Sequence, residues 1–211
     1  MIGYASNTGT KRNLEALRVH GWRILLTPDN PKRRPELCHG IDNGAWGAFQ
    51  KQIPFDAAAF LSLVERHGDA ADFVVIPDIV AGGMASLEFS LTWLDRLQHL
   101  EKILLPVQDG MDVLTVAAVL HQYPKMGIFL GGTTEWKLST MLQWGILAAA
   151  MNRHYHVGRV NTMRRIRLCA EAGASSFDGT SATMYACTLP MLESARRQPS
   201  LLAPQRDTTA A

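Results

Sequence analysis

The sequence predicts a small (β/α)8 barrel of the TIM type, formed by one domain over residues 1–197 and followed by a polar tail, 198–211. About eight short apolar runs have the composition of strands, and most are separated by segments with helical periodicity. These runs do not alternate apolar with polar residues, which is typical of parallel strands whose outer face is covered by helices. Eight such strands favour a closed barrel. A doubly wound parallel sheet is the alternative.

The first part of the chain gives three strands but only one helix between them. The strands are predicted at residues 2–5, at 22–27 and in a short run that ends near Asp42, and a helix spans 11–20. The proline-rich segment 28–35 cannot form a helix or a central strand. The barrel is therefore expected to lack a proper helix after its second strand.

Strands and helices alternate regularly in the rest of the chain. The predicted strands are 73–78, 103–108, 128–132, 154–160 and 176–178. The predicted helices are 55–67, 84–99, 111–122, 135–153, 162–172 and 181–197, the last interrupted by Pro190. No internal repeat and no second domain is evident.

Composition is that of one soluble globular domain with a sizeable core. Of the 211 residues, 47% are hydrophobic and 19% are charged, and the net charge is only +2. This balance does not indicate a surface that binds polyanions over its whole extent, although it allows a local basic patch.

Targeting signals and disulfide patterns are not evident. Cys38, Cys169 and Cys187 lie far apart and share no CxxC spacing, so we expect a reducing compartment. The first residues lack the basic and apolar regions of a signal peptide, and the longest apolar segment, 145–151, is too short to cross a bilayer. We therefore expect a cytoplasmic protein without a membrane partner.

Residues 39–46, HGIDNGAW, are the most unusual local segment. The segment is too short and polar for a core strand and too rich in glycine for a helix. Asn43-Gly44 is a strong turn dipeptide. We interpret the segment as a turn that presents Asp42 at the end of a strand.

Polar or glycine residues follow the carboxyl end of strand after strand. They are Asp42, Asp78, Gln108, Gly131, Gly132, Arg159 and Asp178. In a barrel these ends meet on the face that carries active sites, and in an open sheet ligands bind at the same ends. Each residue by itself also fits an ordinary turn, helix cap or surface charge. Their equivalent positions in successive units favour a shared site.

Three carboxylates and an amide around one pocket suit a nucleobase attached to a sugar. A carboxylate accepts hydrogen bonds from a purine edge, a glutamine amide can pair with a carbonyl and a ring N–H, and glycine N–H groups can bind an exocyclic oxygen. Two remaining carboxylates would suit glycosyl transfer, one as nucleophile and one moving protons. The sequence has no GxxxxGK[ST], HExxH or GxSxG motif, which argues against those enzyme classes.

The ordered motifs resemble the base-exchange core of tRNA-guanine transglycosylases, and more closely the phage-associated DNA 7-deazaguanine transglycosylases. The motifs are Ile41-Asp42-Asn43-Gly44, Pro77-Asp78-Ile79-Val80, Val107-Gln108-Asp109-Gly110, Leu130-Gly131-Gly132 and Phe177-Asp178. The resemblance implies a barrel enzyme that excises guanine and inserts a 7-deazaguanine such as preQ0 or preQ1, without a cofactor.

The resemblance also implies a role for each motif residue. Asp178 takes the place of the nucleophile that forms the covalent glycosyl-enzyme, and Asp42 that of the aspartate in proton transfer. Asp78 and Gln108 take the places of the residues that hold the purine, and Gly131-Gly132 those of the glycines that bind the base carbonyl.

Departures from the family pattern change which nucleic acid is expected as the substrate. Asn43, Ala45 and Trp46 replace the usual residues of the first motif, and Asp109 lies between Gln108 and Gly110. The Cys/His zinc site of the tRNA enzymes is absent, so DNA is the expected polymer rather than tRNA, with a free 7-deazaguanine as second substrate. A phage-encoded protein would act in the host cytoplasm. The sequence does not define the oligomeric state.

Further substrate contacts are expected from Asn43, Trp46 and Arg159. The segment Lys32-Arg33-Arg34, held out by prolines, is the candidate for phosphate binding. Trp46 or Trp136 could stack on an extruded base, although packing in the core is the commoner fate of a tryptophan.

A metal site is not predicted. His154 and His156 alternate on a strand and point the same way, but no third residue has the spacing of a metal ligand.

Two other functions remain open. The same barrel could act as an N-glycosidase or a small-nucleoside deoxyribosyltransferase, without a polymer substrate. Alternatively, the protein could bind DNA or a base without catalysis, through a degenerate transglycosylase pocket.

Overall fold

The chain forms a closed barrel of eight parallel strands. The computed structural model describes residues 1–184 and 187–198. The strands follow one another in chain order around the barrel, and the first strand pairs with the eighth. This closure confirms the predicted small (β/α)8 barrel and excludes the open, doubly wound sheet. The predicted tail, 198–211, falls outside the described residues except for Gln198.

The strands are short. They are β1 (Ile2–Ser6), β2 (Arg23–Leu26), β3 (His39–Ile41), β4 (Val74–Val75), β5 (Ile103–Val107), β6 (Met126–Leu130), β7 (Tyr155–Val157) and β8 (Ser176–Gly179). Most strand residues are buried on both faces, as the non-alternating apolar runs predict.

Helices cover the outside of the barrel. They are α1 (Lys11–Val19), α2 (Ala45–Lys51), α3 (Ala57–His67), α4 (Gly83–Leu91), α5 (Leu94–Leu97), α6 (Val113–Gln122), α7 (Thr134–Ala150), α8 (Met163–Glu171), α9 (Ser181–Met184) and α10 (Thr188–Arg197). As expected, no helix lies between β2 and β3. None of the helices in the described part of the chain has the length and hydropathy needed to span a membrane.

The segment 39–46 confirms one prediction and departs from another. Its first three residues form β3, the short strand predicted to end near Asp42, and its last two begin α2, a helix that the sequence did not predict. Oδ1 of Asn43 accepts a hydrogen bond from the N–H of Ala45, at 2.8 Å, which satisfies one of the free N–H groups at the start of this helix. Only the residues between β3 and α2 form the predicted turn.

The predicted helix 84–99 is divided into α4 and α5. At the division the N–H of Thr92 bonds to the carbonyl of Phe89 and that of Trp93 to the carbonyl of Ser90, a 3₁₀ pattern. The Thr92 hydroxyl also donates to the Phe89 carbonyl, at 2.7 Å. Pro190 does not interrupt α10, because it lies in the first turn, where its missing N–H costs no bond.

Two hydrophobic cores lie on either side of the strands. The larger core fills the space between barrel and helices. The smaller one lies inside the barrel and consists of Tyr4, Leu25, Phe73, Val75 and Leu104, with Phe129 packed against it. The barrel is therefore plugged by side chains, and its interior opens only above this inner core.

Candidate active site

A cavity of about 510 Å³ lies at the carboxyl ends of the strands. It is lined by every residue for which the sequence predicts a catalytic or pocket role: Asp42, Asn43, Trp46, Asp78, Gln108, Gly131, Gly132, Arg159 and Asp178. They come from six different strand ends, so barrel closure is what brings them together.

The turn after β3 is held by its own polar side chains. The N–H of Gly44 donates to Oδ1 of Asp42, at 2.7 Å. Gly44 has a φ of 80°, and a Cβ atom at this position would lie 2.9 Å from Pro28. Glycine is therefore required by both the backbone and the available space. The turn fixes the Asp42 carboxyl group at the cavity wall.

Asp78 is the centre of a hydrogen-bond network that joins three strands. Nδ2 of Asn43 donates to Oδ1 of Asp78 at 2.8 Å, and Nε2 of Gln108 lies 3.2 Å from Oδ2. Nε2 of Gln108 also contacts Oγ of Ser86, at 2.7 Å, and the carbonyl of Ile79, at 2.9 Å. The carboxylate and the amide thus form a fixed pair, with Oε1 of Gln108 left without a donor among the described residues.

Asn43 itself is 4% exposed. Its Nδ2 also donates to the carbonyl of Ile76, at 2.8 Å, and its Oδ1 accepts from Ala45. Because both of its amide protons are donated within the protein, Asn43 supports Asp78 and has no donor available for a ligand.

The cavity raises the pKa of two of its carboxyl groups. Burial, with a contribution from the nearby Asp178 and Asp78, raises the pKa of Asp42 to about 7, although the Gly44 N–H opposes the shift. Part of Asp42 is solvent-accessible, but it faces the cavity. Burial also raises the pKa of Asp78, against the hydrogen bonds from Asn43 and Gln108. Asp42 can therefore both give and accept a proton near neutral pH.

Asp178 lies within β8, with its side chain 14% exposed toward the cavity. Nε2 of His156 lies 3.0 Å from Oδ2, and the N–H of Arg159 donates to Oδ1 at 3.1 Å. Contacts to both oxygens hold the carboxylate in one orientation.

Arg159 forms one side of the cavity in a strained conformation. Its φ is 58°, in the left-handed region, and its guanidinium group lies 4.2 Å from the centre of the Trp46 ring. The guanidinium also donates to the carbonyl of Gly132. Burial lowers the pKa of Arg159. Trp46 and Arg159 therefore form a stacked pair that links α2 to the loop after β7.

The two glycines after β6 differ in what they can offer a ligand. The N–H of Gly131 donates to the carbonyl of Val107, at 2.9 Å. Gly132 has a φ of 72°, and a Cβ there would lie 2.5 Å from Oδ2 of Asp109. A side chain at 132 would thus collide with Asp109, whereas the Gly132 N–H has no acceptor among the described backbone and side-chain groups.

Asp109 also lines the cavity, although no role is predicted for it from the sequence. The N–H and hydroxyl of Thr133 donate to its carboxylate, at 2.7 and 2.6 Å. Although burial opposes the effect, these hydrogen bonds lower the pKa of Asp109. Asn7, Thr27 and Thr180 line the cavity as well and directly follow β1, β2 and β8, so the strand-end rule could have identified them.

The basic segment 32–34 lies outside the cavity lining, and its two arginine side chains point in different directions. Nδ2 of Asn7 donates to the carbonyl of Lys32, at 2.9 Å, and Nε of Arg34 donates to Oδ1 of Asn7, at 3.3 Å. Arg33 instead lies close enough to His39 and His67 to lower their pKa values further, beyond the larger effect of burial. The backbone of Lys32 and the side chain of Arg34 are therefore near the cavity rim, and Arg33 is directed toward the amino end of β3.

Trp136 and the predicted histidine pair lie away from the cavity lining. Trp136 packs against the outer core and tilts toward Trp144, with 6.1 Å between ring centres. His154 and His156 point into the barrel and meet at Ser176. Among the described residues no group of His, Cys, Asp and Glu has the arrangement of a metal site.

Carboxyl groups predominate among the ionisable side chains that line the cavity. Asp29, Asp42, Asp78, Asp109 and Asp178 line it, against the single cation of Arg159 among the described lining residues. Such a wall favours ligands that are rich in N–H donors and disfavours phosphate groups inside the cavity.

No protein-family model matches this chain, and no curated protein is significantly similar to it.

Proposed function

We propose that the protein is a base-exchange transglycosylase that replaces guanine in DNA with a 7-deazaguanine. The observation that carries the proposal is the convergence of Asp42, Asp78, Gln108 and Asp178 on one cavity. These four side chains come from separate strand ends, and together they supply a nucleophile, a proton-transfer group and a base-binding pair.

The exchange proceeds as a double displacement. A carboxylate oxygen of Asp178 bonds to C1′ of the sugar while the bond from C1′ to N9 breaks, and guanine leaves as Asp42 protonates it. The incoming 7-deazaguanine then loses its N9 proton to the Asp42 carboxylate. Its nitrogen bonds to C1′ as the Asp178 oxygen leaves, which restores the enzyme. The pKa of about 7 for Asp42 suits both proton transfers.

Base recognition falls to the network around Asp78. Its carboxylate, oriented by Asn43 and Gln108, accepts hydrogen bonds from the N1–H and amino group of a guanine-like edge. The N–H of Gly132 is the donor for the exocyclic oxygen of the base, because the N–H of Gly131 is occupied by Val107.

DNA would contact the rim, since the acidic wall keeps phosphates out of the cavity. Lys32 and Arg34, near Asn7 at the rim, are the candidates for phosphate contacts. A duplex substrate would have to extrude its base into the cavity.

A nucleoside deoxyribosyltransferase or N-glycosidase is the second candidate. It is favoured by the absence of segment 32–34 from the residues that line the cavity in the described structure. Such an enzyme would use the same carboxylates but would need no basic rim.

The test is mass spectrometry of the nucleosides released after the protein is incubated with preQ0 or preQ1 and each of three acceptors: DNA, tRNA and deoxyguanosine. We expect a 7-deazaguanine nucleoside from DNA in the complete reaction and none when the base is omitted. A 7-deazaguanine nucleoside from deoxyguanosine alone, or conversion of deoxyguanosine to free guanine, would favour the second candidate, and neither change with any acceptor would reject both.

A further inference from the structure

A chain of hydrogen bonds crosses the barrel interior and ends on Asp178. Nε2 of His154 lies 2.7 Å from Oγ of Ser176, and the same Oγ lies 2.8 Å from Nδ1 of His156. Nε2 of His156 then lies 3.0 Å from Oδ2 of Asp178. Ser176 and His156 are completely buried, so solvent does not compete for these contacts.

Aromatic rings hold the imidazole of His156 in place. Phe129 stacks on it, with 5.1 Å between ring centres and 12° between planes. Phe73 and Tyr4 pack against it at 5.0 and 5.7 Å. These contacts fix the ring plane, so Nε2 remains directed at Asp178.

The hydroxyl of Ser176 determines which nitrogen of His156 carries the proton. Burial lowers the pKa of His154 to about 3, which makes its ring neutral at physiological pH. In the arrangement that satisfies every contact, His154 donates from Nε2 to Oγ of Ser176, whose proton goes to Nδ1 of His156. The proton of a neutral His156 is then on Nε2, where it faces the carboxylate.

We propose that His156 is a positioning residue for Asp178 and that Ser176 and His154 fix its tautomer. This inference rests on the proposed function of Asp178 as the nucleophile. The N–H of Arg159 holds Oδ1 and the N–H of His156 holds Oδ2, so both oxygens are fixed before the substrate arrives. A carboxylate held in this way reaches C1′ without reorientation.

The test combines steady-state kinetics with nitrogen NMR of the histidine rings. His156→Leu should lower kcat for exchange by about 10- to 100-fold, the effect of losing one hydrogen bond to a charged group. The KM for the incoming base should not change, because the base-binding pair is intact. His156→Gln, which keeps an N–H donor, should restore most of kcat, and the exposed His121→Gln on α6 serves as control.

In the NMR arm, the wild type should show the proton of His156 on Nε2, and Ser176→Ala should reduce that signal and lower kcat by about 3- to 10-fold. Ser176→Ala also tests the positioning role of His156 if His156→Leu does not fold. An unchanged kcat in the folded His156 or Ser176 variants, or a proton on Nδ1 in the wild type, would overturn the inference.

The proposed function can fail separately. If the wild type exchanges no base, the proposed function is rejected, and the NMR signal alone tests the proposed tautomer of His156. A proton on Nε2 that is lost in Ser176→Ala supports this tautomer. A proton on Nδ1 in the wild type refutes it.

Discussion

Nδ2 of Asn43 donates a hydrogen bond of 2.8 Å to Oδ1 of Asp78, and so joins the turn after β3 to the strand end of β4. The sequence predicts both residues as substrate contacts. In the structure both amide protons of Asn43 are donated to protein acceptors, the carbonyl of Ile76 and the carboxylate of Asp78, so Asn43 has no donor left for a ligand. The Asp78 carboxylate is therefore oriented before any ligand binds.

This arrangement predicts that Asp78→Ala weakens binding of the free base. The substitution removes the acceptors for the base edge, so we expect a loss of about 10- to 100-fold in affinity for guanine or preQ1. Affinity for DNA should fall less, because its phosphates contact the rim. Isothermal calorimetry measures both, with Asp95→Ala on the outer helix α5 as control. An unchanged base affinity would remove Asp78 from the binding site.

The nucleophile is tested by Asp178→Asn. The amide keeps an oxygen for the N–H of Arg159 but cannot form the glycosyl ester. We expect exchange of labelled guanine into DNA to fall by at least about a thousandfold, with the affinity for free base within about threefold of the wild type. Exchange at a near-normal rate in this variant would contradict the covalent mechanism.

The positions of the site residues could be predicted because they depend on topology alone. Parallel strands place their carboxyl ends on one face, so Asp42 and Asp178 meet although they are far apart in sequence. The regular alternation of strands and helices was sufficient to predict this, even with β4 and β7 much shorter than expected.

The direction of individual side chains could not be predicted. The turn with a positive φ at Gly44 decides whether Asn43 faces a ligand or Asp78. The packing of the inner core decides whether His156 faces a metal or Asp178. The basic segment shows the same limit, because Arg33 and Arg34 are adjacent in sequence but point to different ends of the barrel. These details are set by tertiary contacts, which have no signature in one sequence.

The divided basic segment predicts unequal effects on DNA binding. Lys32→Ala and Arg34→Ala should each weaken DNA affinity and reduce the slope of log K against log salt by about one, since each removes one phosphate contact. Arg33→Ala is the matched control, because its side chain lies near His39 and His67. Fluorescence anisotropy across a salt series measures the slopes. Equal slopes for all three variants would contradict the assignment of Lys32 and Arg34, but not Arg33, to the rim that contacts DNA.

Asp42 makes the stability of the fold depend on pH. Its pKa is about 7 in the folded protein, above the ordinary value of 3.8. Between these two pH values the folded state binds more protons than the unfolded state, so the contribution of Asp42 to the free energy of unfolding decreases as pH rises. Above pH 7 the full cost of the buried charge is present.

Asp42→Asn should therefore stabilise the protein at pH 8 and have almost no effect near pH 4. The amide oxygen still accepts from the N–H of Gly44, so only the charge is lost. We expect about 1–3 kcal/mol at pH 8, after allowance for the solvent in the cavity, or a rise in Tm of about 3–8 °C by calorimetry. Asp109→Asn should lower Tm at the same pH, because hydrogen bonds from Thr133 stabilise that carboxylate. A Tm for Asp42→Asn that equals or falls below the wild type at pH 8 would contradict the raised pKa.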